Sequence, residues 1–194
     1  MLTNVHDFPD MAVGKAIPYG VYDVGKNNAW VSVGMDHDTP LFAVNSIRSW
    51  WSSMGRAAHW DAKELLVTAD AGGSNSARSR VWKAELQKLA TETGLKITVA
   101  HFPPGTSKWN KVEHRLFSHV TMNWRGRPLE DYEMVVKLIG ATKTTTGLRV
   151  KARLDRREYK LGVEVPDHVM ANLNIERADF HGEWNYKLCP RPIP

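Results

Sequence analysis

Two carboxylates, Asp70 and Glu113, lie in sequence contexts that are typical of catalytic or ligand-binding residues. Asp70 ends the apolar run LLVTAD (65–70), which has the length and composition of a buried strand, and glycines follow it closely. Open α/β sheets bind ligands at the carboxyl ends of their strands. Glu113 follows Asn110 by three positions, at the start of a predicted helix. Both acids therefore have a place in a candidate active site.

Each acid also has a purely structural interpretation. Aspartate favours turns and helix N-caps, so Asp70 is well suited to capping the helix that follows it. Asn110 and Glu113 have the spacing of a capping box, and the helix dipole stabilises a glutamate in the first turn. The two roles of Glu113 are compatible, because a dipole-stabilised glutamate stays ionised and can still bind a metal.

Carboxylates that converge at the end of a sheet are typical ligands of Mg²⁺ or Mn²⁺. Two such ions, about 3.5–4 Å apart, activate a nucleophile and stabilise a leaving oxygen in phosphoryl transfer. Basic residues accompany both acids, as in proteins that neutralise the phosphates of DNA. Those near Asp70 are Arg78, Arg80 and Lys83, and those near Glu113 are Lys108, Lys111, His114 and Arg115. For any single one of them, a solvated helix face is the simpler explanation.

The bulk properties of the chain exclude several classes of protein. It has 194 residues, enough for one domain, and a net charge of +5, which permits nucleic-acid binding without requiring it. Cys189 is the single cysteine, which excludes an internal disulfide and a cysteine-rich zinc site. No apolar run approaches the roughly 18 residues of a membrane span, and the start lacks a signal-peptide pattern. We expect a soluble, cytoplasmic protein with no membrane partner.

The spacing of apolar residues predicts elements that place Asp70 and Glu113 at one end of a sheet. A β-hairpin (19–24 and 29–35) comes first, and helices and strands then alternate, which indicates an α/β fold with a mixed sheet flanked by helices. The expected helices cover 41–54, 79–93, 111–123, 129–142 and 167–173, and the expected strands cover 65–70, 96–102 and 148–154. The chain divides into an irregular lead-in (1–18), a core (19–142) and a small, β-containing C-terminal appendage with a loose tail (143–194).

Two segments resemble the acid-bearing motifs of DDE transposases and integrases. DAGGSN (70–75) is similar to the second-aspartate motif, and FPPGTSKWNKVEH (102–114) is similar to the segment that carries the third acid. Further segments resemble the Rhodopirellula-type DDE transposase family of bacterial insertion sequences, namely PYGVYDV, WVSVGMDHDT, SIRSWW, KWNKVEHRLFSHV, NWRGRPL and FHGEWNY. The resemblance covers nearly the whole chain. It implies a ribonuclease H-like core that cuts and joins the DNA ends of a transposon.

The resemblance also implies roles for individual residues and partners. Asp70 and Glu113 would be catalytic and would bind two Mg²⁺ (or Mn²⁺) ions. DNA would be the partner, both as transposon ends and as target, and the complete protein would act as a homo-oligomer. The residues expected to contact DNA are Arg78, Arg80, Lys108, Lys111, His114 and Arg115.

The catalytic set of this family has three acids, and the first should lie on the first strand of the sheet. No segment of the chain resembles that strand, so we expect an N-terminally truncated transposase whose first strand and first aspartate lie upstream of Met1. Asp23 is the alternative first catalytic acid and metal ligand, because it precedes Asp70 by 47 positions. Against Asp23, only one further strand follows before the first helix, where the fold needs two. Asp36 and Asp38 are outside alternatives with the character of turn residues.

Three functions are compatible with the sequence. The first is a DDE-type transposase catalytic domain that performs metal-dependent end cleavage and strand transfer. The second is a catalytically inactive remnant that at most binds DNA, since loss of the first aspartate removes a shared metal ligand. The third is a ribonuclease H-like nuclease that acts on RNA or structured DNA. The sequence leaves open whether this chain is itself an active enzyme.

Overall fold

Two mixed β-sheets and the helices packed on them make up this α/β protein. The computed structural model describes residues 15–103, 105–127, 129 and 131–192. Most of the predicted lead-in therefore lies outside the described residues, and its last two positions, Ile17 and Pro18, already belong to a strand. No helix of the described ranges is long and apolar enough to cross a membrane.

The first sheet begins with the predicted hairpin. Strand β1 (Ile17–Asp23) pairs antiparallel with β2 (Asn28–Gly34), and Asn27 occupies a left-handed conformation (φ +49°) in the turn between them. Strand β5 (Arg149–Asp155) then pairs parallel with β2, so that the order is β1-β2-β5. The basic side chains of β5 alternate with more buried ones, as the half-exposed strand predicted from LRVKARL requires.

The second sheet carries Asp70. Strand β3 (Glu64–Asp70) pairs parallel with β4 (Lys96–Phe102), in a register that sets Asp70 opposite Phe102. On the other side of β4 lies β7 (Asn185–Leu188), which runs antiparallel and pairs in turn with β6 (Ile175–Arg177). The order is β3-β4-β7-β6, which leaves β3 at one edge.

The helices follow the predicted order, with two π turns that the sequence did not reveal. Helix α1 (Pro40–Trp50) continues through a π turn (Trp51–Gly55), and a second π turn (Glu113–Phe117) leads into α3 (Ser118–Trp124). The side chains of Thr39, Ser79 and Asp131 cap the helices that they precede. The other helices are α2 (Arg80–Thr93), α4 (Tyr132–Gly140) and α5 (Asp167–Ala171).

Two apolar clusters hold the sheets and helices together. In the first, Trp50 of α1 and Trp82 and Leu86 of α2 pack with Ile97 and Val99 of β4. In the second, Val31 and Val33 of β2 pack with Leu116, Val120 and Ile139 from the α3 and α4 region. The first cluster also includes Trp30 of β2, so it connects the first sheet with α1 and the second sheet, and Trp50 of α1 serves packing, as large aromatic side chains mostly do.

The C-terminal residues, predicted as an appendage at 143–194, contribute strands to both sheets. Strand β5 completes the first sheet and β7 covers the edge of β4 that β3 does not occupy. Tyr186 and Leu188 of β7 are buried in the first cluster. A single short strand gains little stability alone, whereas pairing with an open edge satisfies its backbone and hides that edge from solvent.

A cavity of about 630 Å³ lies between the two sheets, where each has an edge strand with one unpaired side. Within the described part of the chain, β1 pairs only with β2, and β3 pairs only with β4. Residues of both strands line the cavity along nearly their whole lengths. The two open edges therefore border one space.

Candidate active site at the end of β3

Asp70 occupies the predicted position, as the last residue of β3 and beside the cavity. Its backbone carbonyl accepts a hydrogen bond from Nδ1 of His101, at 3.1 Å. Since a carbonyl oxygen only accepts, this contact sets the tautomer of His101, whose Nε2 then accepts from the hydroxyl of Tyr186 at 3.2 Å. The hydroxyl also accepts from Nε1 of Trp82, at 2.9 Å. A series of buried hydrogen bonds through His101, Tyr186 and Trp82 thus holds the end of β3 in place.

His101 stays neutral in this chain of hydrogen bonds. It is 5% exposed, and burial lowers its pKa, an effect that the hydrogen bond to Asp70 opposes and the nearby charge of Lys83 reinforces. Sequence reasoning missed this residue. The available signal was the alternation in KITVAHF, which puts His101 on the same face of β4 as Ile97 and Val99.

Glu113 lies on the other element beside the cavity, at the first position of the second π turn. Asn110 caps the helical residues that lead into this turn, because its buried side-chain Oδ1 accepts from the backbone N–H of Val112 at 3.2 Å. The exposed carboxylate of Glu113 forms no hydrogen bond to a described residue, so only half of the predicted capping box is present. The carboxylate remains free for a ligand, and single π turns are frequent at functional sites.

A glycine in β1 sets the position of that turn. A Cβ added at Gly20 would lie 2.8 Å from Leu116 and 2.9 Å from Phe117, closer than side chains approach. Gly20 therefore allows the Glu113–Phe117 turn to rest directly on β1. The result is that Glu113 faces the cavity from the side of β1, while Asp70 faces it from the side of β3.

Tyr19 connects β1 to the turn that follows β3, at the end of the cavity where Asp70 lies. Its hydroxyl donates to Oδ1 of Asn75, at 2.6 Å, in the turn that follows β3. Burial, and then the carboxylates of Asp38 and Asp70, raise the pKa of Tyr19, so this hydroxyl keeps its proton. The start of β1 therefore lies beside the end of β3, which means that the two strands run in opposite directions across the cavity.

Asp23 lies at the far end of the same cavity. It is buried at the end of β1 and accepts hydrogen bonds from His59 Nε2 at 2.7 Å and from the backbone N–H of Lys26 at 3.1 Å. His59 comes shortly before β3, whereas Asp70 ends it, and seven residues of strand span about 20 Å. The structure thus separates Asp23 from Asp70. In the ranges that the structure describes, no three His, Cys, Asp or Glu side chains converge on one metal position.

Asp36 and Asp38, the outside alternatives for the first acid, also have defined surroundings. Asp36 accepts from the backbone N–H of Tyr159 at 2.6 Å and contacts Nδ1 of His37 at 2.5 Å. Asp38 directly precedes the N-cap of α1 and lies within electrostatic range of Tyr19. Asp36 is therefore a turn residue with structural partners, and Asp38 is on the Asp70 side of the molecule.

The basic residues near the two acids, which include the predicted DNA contacts, divide into those with a structural partner and those that are exposed. Arg80 forms an ion pair with Asp167 at 2.6 Å and donates to the carbonyl of Val165. Lys83 is buried, donates to the carbonyl of Ala77, and has a pKa lowered by that burial. The side chains that remain exposed and without a described ion-pair partner are Arg78, Lys108, Lys111, His114 and Arg115. Four of these five surround Glu113.

A family model described as the Rhodopirellula transposase DDE domain matches residues 1–190. The chain belongs to this family of DDE transposase domains. No curated protein and no solved structure matches the chain. Membership of a DDE transposase family indicates a function in transposition, and Asp70 and Glu113 are the acids that the sequence motifs assign to such a domain.

Proposed function

We propose that the chain is the catalytic part of a ribonuclease H-like DDE transposase, which cleaves the DNA ends of an insertion sequence and joins them to target DNA. One observation carries this proposal. Asp70 and Glu113 are 43 positions apart in the sequence, yet both line one cavity, which Asp70 borders at the carboxyl end of β3. Ligands of open α/β sheets bind at such an end.

The two acids fit a divalent cation. Mg²⁺ is commonly bound by one or two carboxylates, with water and substrate phosphate completing its coordination, so Asp70 and Glu113 suffice as a partial protein ligand set for Mg²⁺ or Mn²⁺. Bound in pairs, such ions activate an attacking oxygen and stabilise the leaving one. His101 holds the backbone of Asp70, and the exposed cations around Glu113 bind DNA phosphates.

A third acid would come from a strand outside the described residues, placed between β1 and β3. Both edges that face the cavity are unpaired in the described ranges, and unpaired edges are templates for another strand. Trp50 lines the same cavity, and its buried indole N–H has no acceptor among the described residues. A strand antiparallel to β1 and parallel to β3 would end beside Asp70. An acid at that position would lie close to Asp70, whereas Asp23 lies at the opposite end of the cavity.

The second candidate is a remnant that binds DNA without cutting it. The observation in its favour is that, within the described residues, no three His, Cys, Asp or Glu side chains are grouped so that they could hold a metal ion. The exposed cations around Glu113 would still bind phosphates in such a protein.

The proposal can be tested by adding a peptide that is able to pair with β1 and β3 as the additional strand. The chain is incubated with Mn²⁺, DNA that carries the terminal repeat of its insertion sequence, and a seven-residue peptide of alternating valine and threonine that ends in aspartate. That length matches β1 and β3. We expect cleavage at the transposon end with the wild-type chain and with Glu164→Gln, a control at an exposed acid. Glu113→Gln should abolish cleavage and leave DNA binding intact.

The controls separate the three functions. A matched peptide that ends in asparagine should bind but support no cleavage. Cleavage by Glu113→Gln at the wild-type rate would contradict the proposal. Preferred cleavage of an RNA–DNA hybrid would indicate a ribonuclease H-like nuclease, and DNA binding without cleavage in every arm would indicate the remnant.

A further inference from the structure

The loop between β6 and β7, residues 178–184, displays three aromatic side chains from the FHGEWNY segment. His181 stacks on Trp184, with ring centroids 5.3 Å apart and planes inclined by 20°. Phe180 meets the His181 ring edge-on, at 4.4 Å, and is 76% exposed. The ring of Phe180 is thus exposed to solvent and is supported by the rings of His181 and Trp184.

Hydrogen bonds fix the shape of this loop. The backbone N–H of Trp184 donates to the carbonyl of His181 at 2.8 Å, and the amide of Asn185 donates to the carbonyls of Phe180 and His181. His181 has a positive φ of +48°, and a Cβ on Gly182 would lie 2.6 Å from the carbonyl oxygen of Ala178. Backbone strain of this kind persists only where the surroundings enforce it, and it is frequent at functional positions.

The loop lies at the same end of the sheet as Asp70. The carbonyl of Trp184 accepts from the backbone N–H of His101 at 3.1 Å, next to Phe102, which pairs with Asp70. Adjacent strands are about 4.8 Å apart, so two strand spacings put the backbone of Trp184 about 10 Å from Asp70.

We infer that Phe180, supported by His181 and Trp184, is a stacking platform for an unpaired base of the DNA strand whose phosphate lies at Asp70 and Glu113. The inference rests on the proposed function. A paired base has both faces covered by its neighbours, whereas an unpaired base offers an open face to an aromatic ring. The guanidinium of Arg177, which donates to the carbonyl of Gly182 at 3.1 Å, places positive charge beside the loop for the adjoining phosphate.

The test uses the full chain and oligonucleotides with 2-aminopurine at each of the four positions beside the transposon end, as single strands, forks and closed duplexes. Wild-type protein should quench the fluorescence at one position in single strands and forks. Phe180→Ala should abolish the quenching and weaken binding of these DNAs about tenfold, as expected for one lost stacking contact. Phe180→Trp should restore both. Phe180 is exposed, so the variants keep the fold, which circular dichroism verifies.

Two controls make the result specific to an aromatic face. Phe180→Leu retains apolar bulk without a π face and should behave as Phe180→Ala does. Trp60→Ala removes a ring that is 83% exposed just before the start of β3, the end opposite Asp70, and should leave quenching unchanged. Wild-type quenching in Phe180→Ala, or full affinity in Phe180→Leu, would overturn the inference. If Phe180 quenches a base while Glu113→Gln still cleaves DNA, the proposed function fails and the platform stands.

Discussion

A single buried imidazole connects the candidate active site to the C-terminal strands. His101 donates to the carbonyl of Asp70 and accepts from Tyr186, so it couples the end of β3 to β7 across β4. The acid motifs located Asp70 and Glu113 because their signals are local: a strand that ends in an acid, and an Asn that begins a helical turn. The alternation in KITVAHF places His101 on the buried face of β4, but its partner is a tyrosine 85 positions away, which no local pattern indicates.

We expect His101→Leu to lower the free energy of unfolding by about 1–3 kcal/mol, because the Asp70 carbonyl loses its donor in a buried place. Burial lowers the pKa of His101 in the folded protein, so the unfolded chain binds more protons below pH about 6.5. The contribution of His101 to stability is therefore complete above that pH and is lost as the pH falls below it.

Urea denaturation at pH 8 and pH 5.5 measures both effects. Wild-type protein should lose more stability on acidification than His101→Leu does. His168→Leu, at an exposed histidine of α5, is the control and should resemble the wild type. An equal loss in wild type and His101→Leu would show that His101 does not stay neutral in the fold.

Local sequence patterns were sufficient to predict the bounds of those helices and strands that carry their own alternation or capping residues. Strand β4 has the predicted bounds, and α2 begins after the N-cap Ser79 and ends at Gly94, whose φ is +72°. The sequence could not reveal that β7 joins β4, because four residues have no period of their own and their partners lie about 90 positions away. The tail was consequently predicted to be loose.

Leu188→Ala tests whether β7 is part of the core. Leu188 is fully buried in the first apolar cluster, and removal of a buried leucine side chain costs about 2–5 kcal/mol. Leu161→Ala, at a leucine that is 65% exposed, should change stability little. Chemical denaturation of both variants gives the comparison. Equal stabilities would mean that the C-terminal strands contribute no packing, as expected of an appendage.

In the whole molecule, two sheets face each other across a cavity bordered by their open edges, and one apolar cluster contains residues of both sheets. The cavity explains why the candidate site has two acids and not three, since β1 and β3 stand on either side of an unfilled space and run in opposite directions. Asp23 pairs with His59 at one end of the cavity, while Asp70 borders the other end.

We propose that Asp70 and Glu113 bind the same divalent cation. Titration with Mn²⁺, followed by electron paramagnetic resonance of the free ion, measures this directly for wild type, Asp70→Asn, Glu113→Gln, the double variant and the exposed-acid control Glu164→Gln. We predict that each single variant weakens binding about tenfold or more and that the double variant loses little further, because ligands of one ion are coupled. Binding by both single variants that equals that of Glu164→Gln would contradict the claim.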